Sequence, residues 1–127
     1  RRYSPETANS DQPWTSFHFD NAAYTVNVAL SADDAFEGGK LLAVLDKQVT
    51  CISRAEGEAT VHDSRLLHAV TRMVGGGRYS LILFYGKADP LKETEIEVRQ
   101  WEAFLNSLPS DEARVCACCS ASYMALY

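Results

Sequence analysis

Eight short runs rich in β-branched, aromatic or alternating apolar residues fill the first two thirds of the chain, each bounded by Gly, Pro, Asp, Asn or Ser. They fall at 1–4, 15–20, 24–31, 40–45, 49–53, 58–63, 66–73 and 78–85. No stretch of helical period lies between them, so a parallel α/β sheet, which needs interleaved helices, is excluded. Short strands joined by polar turns suit a double-sheet jelly roll. The period changes near Gly86 to Pro90: Trp101, Phe104, Leu105 and Leu108 repeat at i, i+3, i+4 and i+7, which predicts a helix packed outside a sheet. Pro109 ends that helix, and Ser110, Glu112 and Ala113 suit the start of a shorter one. The expectation is a mainly β fold of eight core strands over 1–88 with a C-terminal helical extension over 89–127.

A chain of 127 residues, 46% of them apolar, can bury roughly two thirds of its unfolded surface and hold a core without disulfide staples. No apolar run approaches the roughly 20 residues a spanning helix needs, and Arg1-Arg2 is not followed by an apolar signal core, so the chain reads as soluble, with no membrane role. The formal charge of −5 gives no help against a phosphate backbone, and a small-molecule or peptidic partner is expected rather than nucleic acid. Cys51 stands alone, and Cys116, Cys118 and Cys119 lack the spacing of a zinc site, so all four read as free thiols; compartment and oligomeric state are left open.

The chemistry concentrates on histidine and aspartate. His18 and Asp20 are two apart on a candidate strand and share a face. A further imidazole from a later strand would complete two nitrogens and a carboxylate, the facial set used by non-haem Fe(II) oxygenases. His68 lies in such a strand. His62 has Asp63 on its opposite face and reads as a structural or surface histidine. The run after His68 passes three glycines, suited to a tight reversal, and returns as a strand on which Arg78 and Ser80 share a face. A guanidinium with a neighbouring hydroxyl is an anchor for a carboxylate. Phe17, Phe19, Tyr79, Leu81 and Leu83 point the other way by parity and read as core.

With those residues in view, the sequence resembles the Fe(II)/2-oxoglutarate-dependent dioxygenases, in particular their prolyl and lysyl hydroxylase-like branch. The resemblance spans about residues 1–86 and is carried by Arg1-Arg2-Tyr3, His18-Phe19-Asp20, Tyr24 through Ser31, Phe36-Glu37-Gly38-Gly39, Gly57-Glu58-Ala59, His68 and Arg78-Tyr79-Ser80, in matching order and spacing. It implies a double-stranded β-helix with iron on His18, Asp20 and His68, and 2-oxoglutarate held by Arg78 and Ser80 with Tyr3 and Asn27. It also implies O2 as second cosubstrate, ascorbate among the cofactors, and hydroxylation of a protein, peptide or small molecule coupled to conversion of 2-oxoglutarate to succinate and CO2.

Departures narrow the class. Collagen-type prolyl hydroxylases usually present lysine where this chain has Arg78, and the superfamily's nucleic-acid demethylases usually carry a second arginine where it has Phe84. The family's elements ahead of the first core strand have no counterpart here, so the chain is expected to be a fragment or processed form. The alternative reading is a non-catalytic jelly-roll binding module that retains a metal site.

Overall fold

A computed structural model of the chain describes residues 2–3, 13–46 and 48–87. The expected helices, Cys116, Cys118, Cys119 and most of the loop over 5–14 lie outside the described residues, and Tyr3 is described in its backbone alone. The described part is mainly β. It contains no helix, and hence none long and apolar enough to cross a membrane.

Among the described residues ten strands follow one another: β1 (Arg2–Tyr3), β2 (Thr15–His18), β3 (Tyr24–Ala29), β4 (Glu37–Gly38), β5 (Leu41–Leu45), β6 (Gln48–Ile52), β7 (Ala59–Asp63), β8 (His68–Val70), β9 (Met73–Gly75) and β10 (Arg78–Tyr85). Eight of them build two four-stranded antiparallel sheets, in the orders β1-β10-β3-β7 and β2-β8-β5-β6. The pairing is nested: β5 with β6, β3 with β7, β2 with β8, β1 with β10. A hairpin wound over on itself produces this order, and it brings residues some fifty positions apart into register.

Two differences from the sequence expectation concern strand boundaries. The run over 66–73 divides into β8 and β9, because Thr71 leaves the ladder to bond Lys40 in both directions: its hydroxyl accepts from the Lys40 amide at 2.8 Å and its own amide donates to the Lys40 carbonyl at 2.9 Å. Glu37 and Gly38, expected within a loop, pair with β9 as a small separate sheet. Gly38 adopts φ +74°, and a Cβ there would stand 2.0 Å from the Arg72 carbonyl oxygen, so close backbone approach requires glycine.

The alternation of burial along β3, with Thr25, Asn27 and Ala29 buried, identifies its inward face. Leu41, Val70 and Met73 form a core cluster, with Phe36 and Ile52 against it. Phe17 is buried as expected. Tyr79, Leu81 and Leu83 face away from the interior but are 45%, 46% and 37% exposed, which corrects their reading as core. Parity separates the two faces of a strand without saying which is covered.

Candidate metal centre

The winding of the chain assembles the site. Antiparallel pairing of β2 with β8 sets His18 directly opposite His68, with ring centroids 4.3 Å apart. Asp20 follows two residues beyond His18, where β2 has ended. The ligating atoms of His18, Asp20 and His68 all lie within 4.8 Å of one another. The turn that delivers His68 is built locally: Asp63 accepts from the Arg65 backbone amide at 2.9 Å, its carboxylate pairs with the Arg65 guanidinium, and the Leu66 amide closes on the Asp63 carbonyl at 3.1 Å.

Each imidazole is oriented by its own strand. His18 Nδ1 lies 2.8 Å from the Ser16 carbonyl oxygen and His68 Nδ1 lies 3.0 Å from that of Leu66. A carbonyl only accepts, so both Nδ1 atoms carry the proton and the lone pair of each ring lies on Nε2, the atom that would ligate. Those Nε2 atoms approach the Asp20 carboxylate at 3.6 Å each. That is too long for a good hydrogen bond. It is near the spacing of adjacent ligands about one divalent ion, about 3 Å for bonds of about 2.1 Å at right angles.

The protonation states also suit a cation. Burial pushes His68 down to about 4, with His18 acting in the same sense, so its ring is neutral at physiological pH. Burial alone would raise Asp20, but the His18 imidazole and the Thr25 hydroxyl, with the charge that His68 and His18 gain in acid, hold it at about 2. Thr25, itself buried, donates to Asp20 Oδ2 at 2.6 Å and fixes the carboxylate from the opposite sheet. Two imidazole nitrogens and one carboxylate, each braced by an outer partner, are a donor set that fits a first-row divalent metal.

His62 is nearer this cluster than the sequence reading allowed. It pairs with Thr25 across β3 and β7, its side chain is only 11% exposed, and its Nε2 stands 3.7 Å from Asp20 Oδ2. The register with Thr25 turns His62 inward, and it stands as a part-buried structural histidine outside the three-donor group.

The three donors open onto a cleft of ≈ 50 Å³ that Asn27 and Arg78 also line. Arg78, at the start of β10, is 1% exposed despite its charge. Ser80 is buried two residues further on the same inward face, opposite Ala29, and the backbone register sets Tyr3 opposite Arg78. A second, apolar pocket of ≈ 190 Å³, lined by Leu41, Ala43, Ile52 and Leu66 among others, also borders His62 and His68. Arg54 is a buried cation that no sequence pattern singled out. Its Nη1 donates to Asn27 Oδ1 at 3.0 Å and to the Asn27 carbonyl at 3.3 Å.

No protein-family model and no curated protein matches the chain. Among solved structures it is similar to an oxidoreductase of the 2OG-Fe(II) oxygenase family from Burkholderia pseudomallei, with 20% sequence identity and a TM-score of 0.54. The match covers 68% of this chain and 41% of that one, so the chain spans less than half of its neighbour's length. The likeness is one of fold.

Proposed function

We propose that the protein is an Fe(II)- and 2-oxoglutarate-dependent dioxygenase that hydroxylates a C–H bond on a protein or peptide side chain. The carrying observation is the convergence of His18, Asp20 and His68 on a cleft that also contains a buried arginine. The two nested four-stranded sheets support the double-stranded β-helix reading, and the shared fold with a 2OG-Fe(II) oxygenase supports the chemistry.

In this reading His18 and His68 supply Nε2 and Asp20 supplies the anionic ligand. Thr25 keeps the carboxylate turned toward the imidazoles. Arg78 pairs with the distal carboxylate of 2-oxoglutarate, with Ser80 and Tyr3 beside it, and Asn27 donates from the cleft wall. Bound iron would supply O2 activation, with 2-oxoglutarate as co-reductant: 2-oxoglutarate, O2 and R–H give succinate, CO2 and R–OH. The protein's part is to orient the reactants and exclude water. The apolar walls beside His62 and His68 favour a compact aliphatic group, such as a prolyl ring, as the part of the substrate next to the metal. Ascorbate is expected to sustain turnover.

Anaerobic titration with Fe(II) and then 2-oxoglutarate tests the reading. Joint chelation should produce a visible charge-transfer band, and O2 should then release succinate. A peptide substrate should gain the mass of one oxygen. A folded protein that shows no band favours the non-catalytic binding module instead.

A further inference from the structure

We infer that Arg54 is a positioning residue for the cosubstrate: it holds the side-chain amide of Asn27 so that its NH2 group, and not its oxygen, faces the cleft. The inference rests on the functional reading above, in which the cleft takes 2-oxoglutarate.

A buried guanidinium must find acceptors for its donors. Arg54 is 5% exposed. Among the described residues its side-chain hydrogen bonds both go to Asn27, at 3.0 Å to Oδ1 and 3.3 Å to the backbone oxygen. The two acids whose charge acts on it make their hydrogen bonds to backbone amides: Asp33 Oδ2 accepts from the Arg54 amide at 2.9 Å and Glu58 Oε2 from the Ala55 amide at 2.8 Å, while Asp33 Oδ1 is buried without a hydrogen-bond partner among the described residues. Arg54 Nε is buried with no hydrogen-bond partner among the described residues. A cation recruited purely for stability would be paired with a carboxylate. Asp33 and Glu58 supply charge to this one, yet its side-chain hydrogen bonds among the described residues go to Asn27 alone.

The loop that carries it is anchored to permit this. The Asp33 amide donates to the Arg54 carbonyl at 3.1 Å, reciprocating the bond from the Arg54 amide, so residue 54 is clamped at both backbone polar groups. The Gly57 amide donates to the Ala29 carbonyl and the Ala29 amide to the Glu58 carbonyl, each at 2.8 Å, which ties the same loop to the end of β3 two residues past Asn27.

Because a guanidinium has no acceptor, the Asn27 atom facing it is the amide oxygen. The amide nitrogen, on the other branch of the same plane, is left for the cleft that Asn27 lines. A donor there suits a carboxylate or keto oxygen; the flipped amide would present an acceptor and repel it.

The test uses the whole chain with Arg54→Met, Arg54→Lys, Asn27→Ala and the Arg54→Met/Asn27→Ala double variant. The affinity for 2-oxoglutarate is read anaerobically with Fe(II) present, and that for Mn(II) alone is measured separately. Arg54→Met is expected to weaken 2-oxoglutarate binding about tenfold, Arg54→Lys about threefold, with Mn(II) affinity unchanged in both. The double variant should bind no worse than Asn27→Ala. Additive losses, or unaltered 2-oxoglutarate affinity in Arg54→Met, overturn the proposal. Should Arg54→Met not fold, Arg54→Lys alone decides, and full wild-type affinity there is the overturning result. The side-chain amide of Asn27, one of four asparagines in the chain, gives a readout that needs no ligand. Its ¹⁵N-resolved NH2 signals in the metal-free protein should shift in the Arg54 variants. If the wild type binds no 2-oxoglutarate, the functional reading has failed; signals that also stay fixed then overturn the Arg54–Asn27 arrangement itself.

Discussion

Thr25→Val isolates one interaction of the metal centre. Valine keeps the β-branch that suits β3 and nearly the same volume, and it deletes the hydroxyl that donates to Asp20 Oδ2 at 2.6 Å. Thr25 is 1% exposed, so water cannot easily replace the lost donor. A hydrogen bond to a charged acceptor is worth about 1.5–3 kcal/mol, and the added methyl returns somewhat under about 0.8 kcal/mol by burial. The metal-free protein should therefore lose about 1–2 kcal/mol, a fall in Tm of about 3–8 °C for a chain of this size. Removing an outer partner of a ligating carboxylate typically weakens metal binding about 10- to 100-fold. Thermal melting of the metal-free protein and calorimetric titration with Mn(II) measure the two effects, and Thr25→Ser should restore metal affinity. Lower stability with unaltered Mn(II) affinity would refute the reasoning, since the hydroxyl would then be bracing the fold and not a ligand.

Other outcomes follow from the same geometry. His68→Ala or Asp20→Ala should abolish 2-oxoglutarate-dependent succinate release, and wild-type release from the folded Asp20 variant contradicts the ligand assignment. Arg78→Met should raise the KM for 2-oxoglutarate by about tenfold or more while Mn(II) affinity stays near wild type, because a charge pair at the far carboxylate is lost and no ligand is. His62→Ala should leave turnover within about fivefold, because its Nε2 stands 3.7 Å from Asp20 Oδ2, beyond hydrogen-bond reach, and so braces no ligand; a loss as complete as that of His68→Ala would make His62 a ligand. Gly38→Ala should cost about 3 kcal/mol or more in urea denaturation, summing a left-handed backbone with a Cβ driven against the Arg72 carbonyl. A loss below about 1 kcal/mol would show that β4 and β9 part easily.

What could be read in advance was everything with a two-residue period. Alternation marked most of the strands, placed His18 with Asp20 and Arg78 with Ser80, and grouped Thr25, Asn27 and Ala29 on one side of β3. Those relations are local, because successive side chains on an extended backbone point in opposite directions whatever the chain does next. Glu37 and Gly38 gave no sign of a strand since two residues are too few to show a period, and the division of β8 from β9 depended on Lys40, thirty-one residues from Thr71.

The sequence by itself determined which side chains share a face, which segments extend, and that imidazole, carboxylate and guanidinium were available for a metal and an anion. Tertiary structure alone decided which faces became interior. It turned His62 toward Asp20, left Tyr79, Leu81 and Leu83 on the outside, sank Arg54 behind Asn27, and set His18 against His68. Each of those outcomes depends on the register between strands far apart in the chain, and register is settled only when the nested sheets close and bury one face of each strand together.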